Sequence, residues 1–244
     1  MGIVRTIAGR ELRSYFATPL AYVFIVIFLA LNGMFTFYLG GFYERGQADL
    51  APFFNFHPWL YLFLVPAIAM RLWSEERKSG SVELLMTLPV TLWQSVLGKF
   101  LAAWLFIAVA LALTFPLWVT VNYLGDPDNG VILAGYLGSL LMAGGFLAIG
   151  SCLSAANRNQ VVSFIMTVVV CFLFMLAGFP LVLDAFSSWL PGPLLEAVAG
   201  LSFLTHFTAI SKGVLDLRDV LYFVLVIGVW LYATTIVLDL KKAD

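Results

Sequence analysis

The sequence predicts an all-α membrane protein of six transmembrane helices. It adds an N-terminal interfacial helix, a cytoplasmic helix between spans two and three, and outer re-entrant helices between spans five and six. Three observations predict this. Of the 244 residues, 62% are hydrophobic and 11% charged, with mean hydropathy +0.98, more apolar surface than a water-soluble fold of this size can hide. Charge-free runs recur at the length a bilayer core of about 30 Å demands of a helix, about 20 residues. Finally, Lys and Arg are spread unequally over the alternate connections, as the retention of positive charge on cytoplasmic flanks requires.

Taken in order, the N-terminal stretch IVRTIAGRELRSYF sets Ile3, Ile7, Leu12 and Tyr15 against Arg5, Arg10, Glu11 and Arg13. That is the pattern of an amphipathic helix lying along the inner leaflet; the alternative is a charged flank that only fixes orientation. Pro19 marks the break before the chain enters the membrane. The apolar run beginning there is too long for the core of a signal peptide and is expected to remain as an uncleaved span. The charge-free runs are Pro19–Tyr43, Leu50–Met70, Phe100–Gly125, Asn129–Asn157, Asn159–Leu183 and Val220–Leu238. The spans are expected at about 19–43, 50–72, 97–124, 130–155, 159–183 and 218–239, within one domain covering residues 1–244. Ala185–Leu195, which contains Pro191, Gly192 and Pro193, and Ala197–Ser211 are too short to cross and read as re-entrant or interfacial. The connections YERGQADLAP and GDPDNG are short and rich in turn formers, with no room for an outer domain. The fourth span carries Gly135, Ser139, Ala143, Gly144, Ala148 and Ser151, small residues that let helices approach closely.

With the N-terminus inside, Arg5, Arg10, Arg13, Arg71, Arg77, Lys78, Lys99, Arg158, Lys241 and Lys242 fall on the cytoplasmic side and only Arg45, Lys212 and Arg218 outside. Both termini are therefore expected in the cytoplasm.

Several chemistries lack their residues. The net charge of −1 says nothing about nucleic acid, but no basic cluster resembles a stripe that would track phosphates, and no nucleic-acid partner is expected. Cys152 and Cys171 lie in apolar runs and supply neither a disulfide framework nor metal spacing. The single Gly-Lys pair, Gly98-Lys99, leads into Phe100 and a span, so there is no phosphate-binding loop and no ATP site. His57 and His206 are expected near the outer interface as hydrogen-bonded structural residues, with no partner carboxylate at metal spacing. No Ser-Lys, Asp-Asp or His-Glu constellation marks the spans, so no catalytic residue and no metal ligand are assigned. No ionisable group is expected at mid-span, where Asn32 and Asn122 read as helix-packing hydrogen bonds, and this disfavours a gradient-driven secondary transporter. Trp59, Tyr61, Trp104, Trp118 and Trp189 suit interfacial belts as readily as a cargo path.

The densest polar stretch is RLWSEERKSGSVELLMTLPV, Arg71 to Val90. The second span can continue as helix through Lys78; Gly80 then breaks it, with Ser79 or Ser81 available as an N-cap. In the following VELLMTLP, Leu84, Leu85 and Leu88 share one helical face, Glu83 sits at the positive end of the dipole, and Pro89 with Thr91 ends the turn. A connection of nearly 30 residues, Arg71 to Lys99, far exceeds the 2–8 or so that a return to the membrane needs. A solvated helix end with Glu75 and Lys78 at i,i+3 is the bland alternative.

RLWSEERKSGSVELLMTLPVT resembles the segment between the second and third spans of type-2 ABC exporter permeases: an acidic pair, a basic residue, Gly, a small hydroxyl residue, Glu, two apolar residues and a Pro. The likeness extends over the chain, from the REL of the N-terminal helix to LSFLTHFTAISKGVLDLRDVLYF before the last span, and is greatest to the gliding-motility (Gld) branch. It implies a coupling helix seated on a separate ATPase, with Glu75, Glu76, Arg77, Gly80, Ser81, Glu83, Leu84, Leu85 and Pro89 at the matching positions; Ser81 stands where Thr is common. It further implies a bacterial inner-membrane permease subunit that binds no cofactor itself. Two ATPase subunits would hold ATP and Mg. The other partners implied are a second copy or a paralogue, the lipid bilayer and, as is frequent in the Gld branch, a membrane protein with a large outer domain. ATP hydrolysis would drive export or force transmission, with Ala185–Ser211 as a lid. A non-transport membrane scaffold is the rival reading.

Overall fold

The computed structural model describes residues 2–80, 90–187 and 191–241. Among these every regular element is a helix, with no strand. Helix α1 (Gly2–Phe16) precedes α2 (Pro19–Met34), which runs on through a π-helical turn, Phe35–Leu39. Then follow α3 (Ala51–Ala69), α4 (Arg71–Ser79), α5 (Leu92–Ala112), α6 (Phe115–Leu124), α7 (Asn129–Ala156), α8 (Gln160–Leu176), α9 (Pro180–Ser187), α10 (Gly192–Ala199), α11 (Phe203–Ser211) and α12 (Leu217–Leu240).

Among the described residues five helical stretches are long and apolar enough to cross a membrane: Pro19–Leu39, Ala51–Ser79, Leu92–Leu124, Asn129–Ala156 and Leu217–Leu240. Counting the bent pair α10–α11 as one broken span gives six. The fifth expected span, 159–183, is corrected. Helix α8 stops at Leu176 after 17 residues, roughly 26 Å at 1.5 Å per residue. A Cβ on Gly178 would stand 2.5 Å from Thr205 Oγ1 and 2.6 Å from Ser202, so the chain turns against α11 before Pro180 opens the next helix. The re-entrant expectation for Ala197–Ser211 meets a bend of 59° between α10 and α11, and α11 buries Phe203, His206, Phe207 and Ile210.

The third expected span, about 97–124, lies within the helical stretch Leu92–Leu124. That stretch begins at Leu92, where Thr91 and Gln94 form a reciprocal capping box, the Thr-x-x-Gln spacing that satisfies two orphan amide donors. It breaks at Leu113 and Thr114 because Pro116 has no amide hydrogen to continue the ladder. Thr114 Oγ1 takes up Leu111 O at 2.6 Å and lies 2.9 Å from the Tyr136 hydroxyl.

Helix α7 is the hub, touching α3, α4, α5, α8, α11 and α12. Its small residues let large neighbours approach: Phe203 abuts Gly145, Phe54 abuts Gly135, and Trp104 with Ile227 abuts Gly144. The amphipathic helix α1 packs along α5 as well as facing its surroundings. Ile7 seats on Gly98, where a Cβ would fall 2.6 Å from Ile7 Cγ2, and Tyr15 stacks on Phe106 with centroids 5.4 Å apart. Of the expected belt aromatics, Trp59 is exposed, whereas Tyr61 is buried and Trp104 donates to Leu140 O at 2.8 Å. Trp189 lies outside the described residues.

Candidate functional site

Helix α4 extends the second span beyond Met70 and is gripped from two sides. The serine hydroxyls of α7 enter its first turn. Ser154 Oγ donates to Met70 O at 2.9 Å and accepts the amides of Trp73 and Ser74, each at 3.1 Å. Ser74 Oγ donates to the same Met70 carbonyl. A side chain inserted into the i→i−4 ladder is a recognised cause of a helix kink, and the turn at Met70 between α3 and α4 is such a place. Trp73, fully buried, donates Nε1 to Ser151 Oγ at 3.1 Å, and Arg77 donates to Ala155 O at 2.6 Å. Residues 73 to 77 are thus locked to the last turns of α7.

Lys99 of α5 makes the second grip. Its Nζ donates to Glu76 Oε1 at 2.6 Å and to Leu72 O at 3.1 Å, lies 3.9 Å from Glu11 Oε2 on α1, and sits 5.1 Å from the Trp73 ring centroid. With its side chain 5% exposed, the ammonium is removed from water and needs each of these partners. Arg10 joins Glu11 at 3.0 Å. Burial, with Glu11 adding to it and Arg71 opposing, holds the Tyr15 phenol above its usual range. Between α1 and α4 lies a cavity of about 340 Å³ walled by Glu11, Tyr15, Arg71, Glu75, Glu76 and Lys99.

The structure brings four of the expected coupling residues together. Glu75 faces the cavity, Glu76 holds Lys99, Arg77 holds α7, and Gly80 ends the helix at φ +72°, a left-handed cap that favours glycine. Ser79 is the last helical residue, its hydroxyl on Glu76 O. Ser81, Glu83, Leu84, Leu85 and Pro89 lie outside the described residues. Sequence reasoning missed Lys99, Glu11, Trp73, Ser151 and Ser154. Lys99 reads in the sequence as a charge on a cytoplasmic flank; it lies inside α5, because the capping box starts that helix at Leu92, eight residues before its charge-free run.

Both histidines are hydrogen-bonded structural residues, as expected, and His57 is fully buried in the bundle. Its Nδ1 is 2.7 Å from Ser139 Oγ and its Nε2 3.0 Å from Asn32 Oδ1, while Asn32 Nδ2 donates to Phe28 O at 2.8 Å. One consistent assignment satisfies every group. Ser139 donates to Nδ1, Nε2–H donates to Asn32, and α2, α3 and α7 are joined through a neutral imidazole. His206 does have a carboxylate partner, Asp219 Oδ1 at 2.5 Å, with Gly200 O 3.0 Å from its Nε2 and Tyr222 stacked 4.0 Å away. This cluster ties the α10–α11 bend to the start of α12. Asn122 and Asn129 exchange hydrogen bonds of 3.0 Å across the α6–α7 turn, the packing role expected for Asn122. Among the described residues no group of three or more His, Cys, Asp or Glu side chains is placed to hold a metal.

Residues 5–218 match the family model described as ABC-2 family transporter protein, and the chain belongs to that family. It is accordingly a multi-pass membrane protein and a permease subunit of an ABC transporter, a transport subunit whose family implies an ABC ATPase partner and a membrane dimer. No curated protein matches the chain.

Proposed function

We propose that this permease converts ATP hydrolysis by a separate ATPase subunit into rearrangement of its spans, for export of a substrate or for force transmission to an outer partner. The observation that supports this is the grip on α4. Any displacement of the segment after Gly80 is passed to α7 through Ser151, Ser154 and Ala155, to α5 through Lys99, and to α1 through Glu11. A polar-rimmed surface with apolar residues at its centre suits a transient docking interface. The sequence after Gly80, with Glu83, Leu84 and Leu85 between Ser81 and Pro89, has that composition. In this reading Glu75, Glu76, Arg77 and Gly80 form the lever and Ser81 to Pro89 the contact.

The remainder of the reading follows from it. The end of the bundle carrying α1, α4 and the last turn of α12 faces the cytoplasm of a bacterial cell, and the single domain 1–244 pairs with a second copy or a paralogue over two ATPase subunits. ATP and Mg are bound by those subunits. The likeness to the Gld branch, through the REL and EERKSGSVELL stretches, favours a second membrane protein with a large outer domain.

The test is purification of the permease from its native membrane beside a Glu83→Arg, Leu84→Asp variant, with identification of copurifying proteins and an ATPase assay. An ATPase retained by the wild type and lost by the variant is expected. Full retention by the variant would remove the coupling role and leave a membrane scaffold as the better account.

A further inference from the structure

We infer that α1, α2, α3 and α4 form a binding site for one membrane phospholipid with an amine-bearing zwitterionic headgroup, its phosphate on Arg71 and its ammonium on Glu75. Two adjoining spaces carry this. The polar cavity of about 340 Å³ between α1 and α4 shares Tyr15, Leu20 and Arg71 with an apolar groove of about 210 Å³ that runs between α2 and α3. Ala21, Ile68 and Phe106, all buried, form the floor of the groove, and the exposed side chains of Leu20, Val23 and Ile27 form its rim. From Leu20 to Ile27 the groove follows α2 for roughly 10 Å. A charged chamber opening into an apolar channel fits a molecule with a polar head and an apolar tail.

The charges select the head. Lys99, Glu76, Glu11 and Arg10 are engaged with one another. Arg71 and Glu75 stand one helical turn apart on the cavity wall, and neither has an ion-pair partner among the described residues. Arg71 lines both the polar cavity and the apolar groove, and its buried Nε has no hydrogen-bond partner within the protein, so its guanidinium is left to an outside acceptor at the accessible end of the fork. A phosphate is such an acceptor and matches the guanidinium fork. A purely anionic head would bring its charge beside Glu11, Glu75 and Glu76. A head carrying both a phosphate and a primary ammonium satisfies the remaining cation and the remaining anion together. The groove rim lies on the first span, so the lipid enters from the bilayer. The inference stands on membrane embedding alone and is independent of the ATPase reading.

The experiment is native mass spectrometry of the full-length, delipidated permease, titrated with phosphatidylethanolamine or phosphatidylglycerol of identical acyl chains. One phosphatidylethanolamine is expected to bind at least about fivefold more tightly than phosphatidylglycerol. Arg71→Gln should weaken both lipids by about tenfold or more. Glu75→Gln, a change at an exposed side chain, should weaken phosphatidylethanolamine alone and erase the preference, a ratio that misfolding does not mimic. Equal binding of the two lipids with no response to either variant would mean annular lipid only and overturn the inference. So would disulfide cross-linking of two copies through Val23→Cys, which would show the groove covered by a second permease.

Discussion

Replacing Lys99 by Met removes the cation that lies between Glu76 and Glu11 while keeping most of the side-chain volume. Lys99 is 5% exposed, and Glu76, its partner at 2.6 Å, is 25% exposed. Truncating one member of a fully buried pair costs about 3–5 kcal/mol, because the other charge is left without compensation, whereas exposed pairs contribute about 0–1 kcal/mol. Glu76 retains some water, so Lys99→Met is expected to cost about 2–4 kcal/mol. Glu76→Gln should cost less, about 1–2 kcal/mol, since Lys99 keeps Leu72 O, Glu11 and the Trp73 ring. The double variant Lys99→Met, Glu76→Leu should recover much of the loss, as apolar replacement of a whole buried pair is often neutral. Equilibrium unfolding of the purified permease in mixed micelles, read by tryptophan fluorescence, measures all three. A loss below about 1 kcal/mol for Lys99→Met, or no recovery in the double variant, would refute the claim that a desolvated pair fastens α4 to α5.

Three further outcomes follow from the geometry. His57→Leu leaves Asn32 Oδ1 and Ser139 Oγ without their partner and should cost about 2 kcal/mol, and a double-mutant cycle of His57 with Ser139 should return a coupling above about 0.5 kcal/mol. Gly98→Val places a branched side chain where Cβ alone falls 2.6 Å from Ile7. It should lift α1 from α5, costing about 1–3 kcal/mol and raising trypsin cleavage at Arg10 and Arg13, with Ile7→Ala reversing the effect. Asp219→Ala removes the acceptor of His206 Nδ1, so hydrogen exchange should accelerate across Phe203–Ser211, while Asp219→Asn, which retains a side-chain oxygen, should show a smaller change.

The membrane class and the approximate positions of most helices were legible because lipid enforces a length and an absence of charge on every span, and both are local properties of the sequence. The fourth span was read almost to the residue, and its small residues correctly marked it as a packing helix. The third begins earlier, and the helix of the fifth ends sooner, than composition alone suggests, because a local rule overrides it. Thr91 with Gln94 carried a capping-box signal that extends a helix back over Lys99, and Pro116 broke what hydropathy counts as one run. The fifth run stayed apolar to Leu183, yet Gly178 is stopped by Ser202 and Thr205, residues more than twenty positions later.

Within the candidate site, the acidic pair, Arg77 and Gly80 were identifiable from their order on one short helix. What each one holds was not. Lys99 read as a flanking charge, and the Ser151 and Ser154 hydroxyls read only as small residues that favour close packing.

By itself, then, the sequence determined an all-helical membrane protein, the polar connection after the second span and the residues of that connection, because periodicity, charge-free length and turn chemistry act over a few neighbouring positions. Tertiary structure alone decided that Lys99 is buried against Glu76, that the serines of α7 enter the first turn of α4, that His57 lies inside the bundle, and that a polar chamber adjoins an apolar groove. Each of these joins residues from separate helices. The desolvation that gives such a contact its strength exists only once those helices have packed.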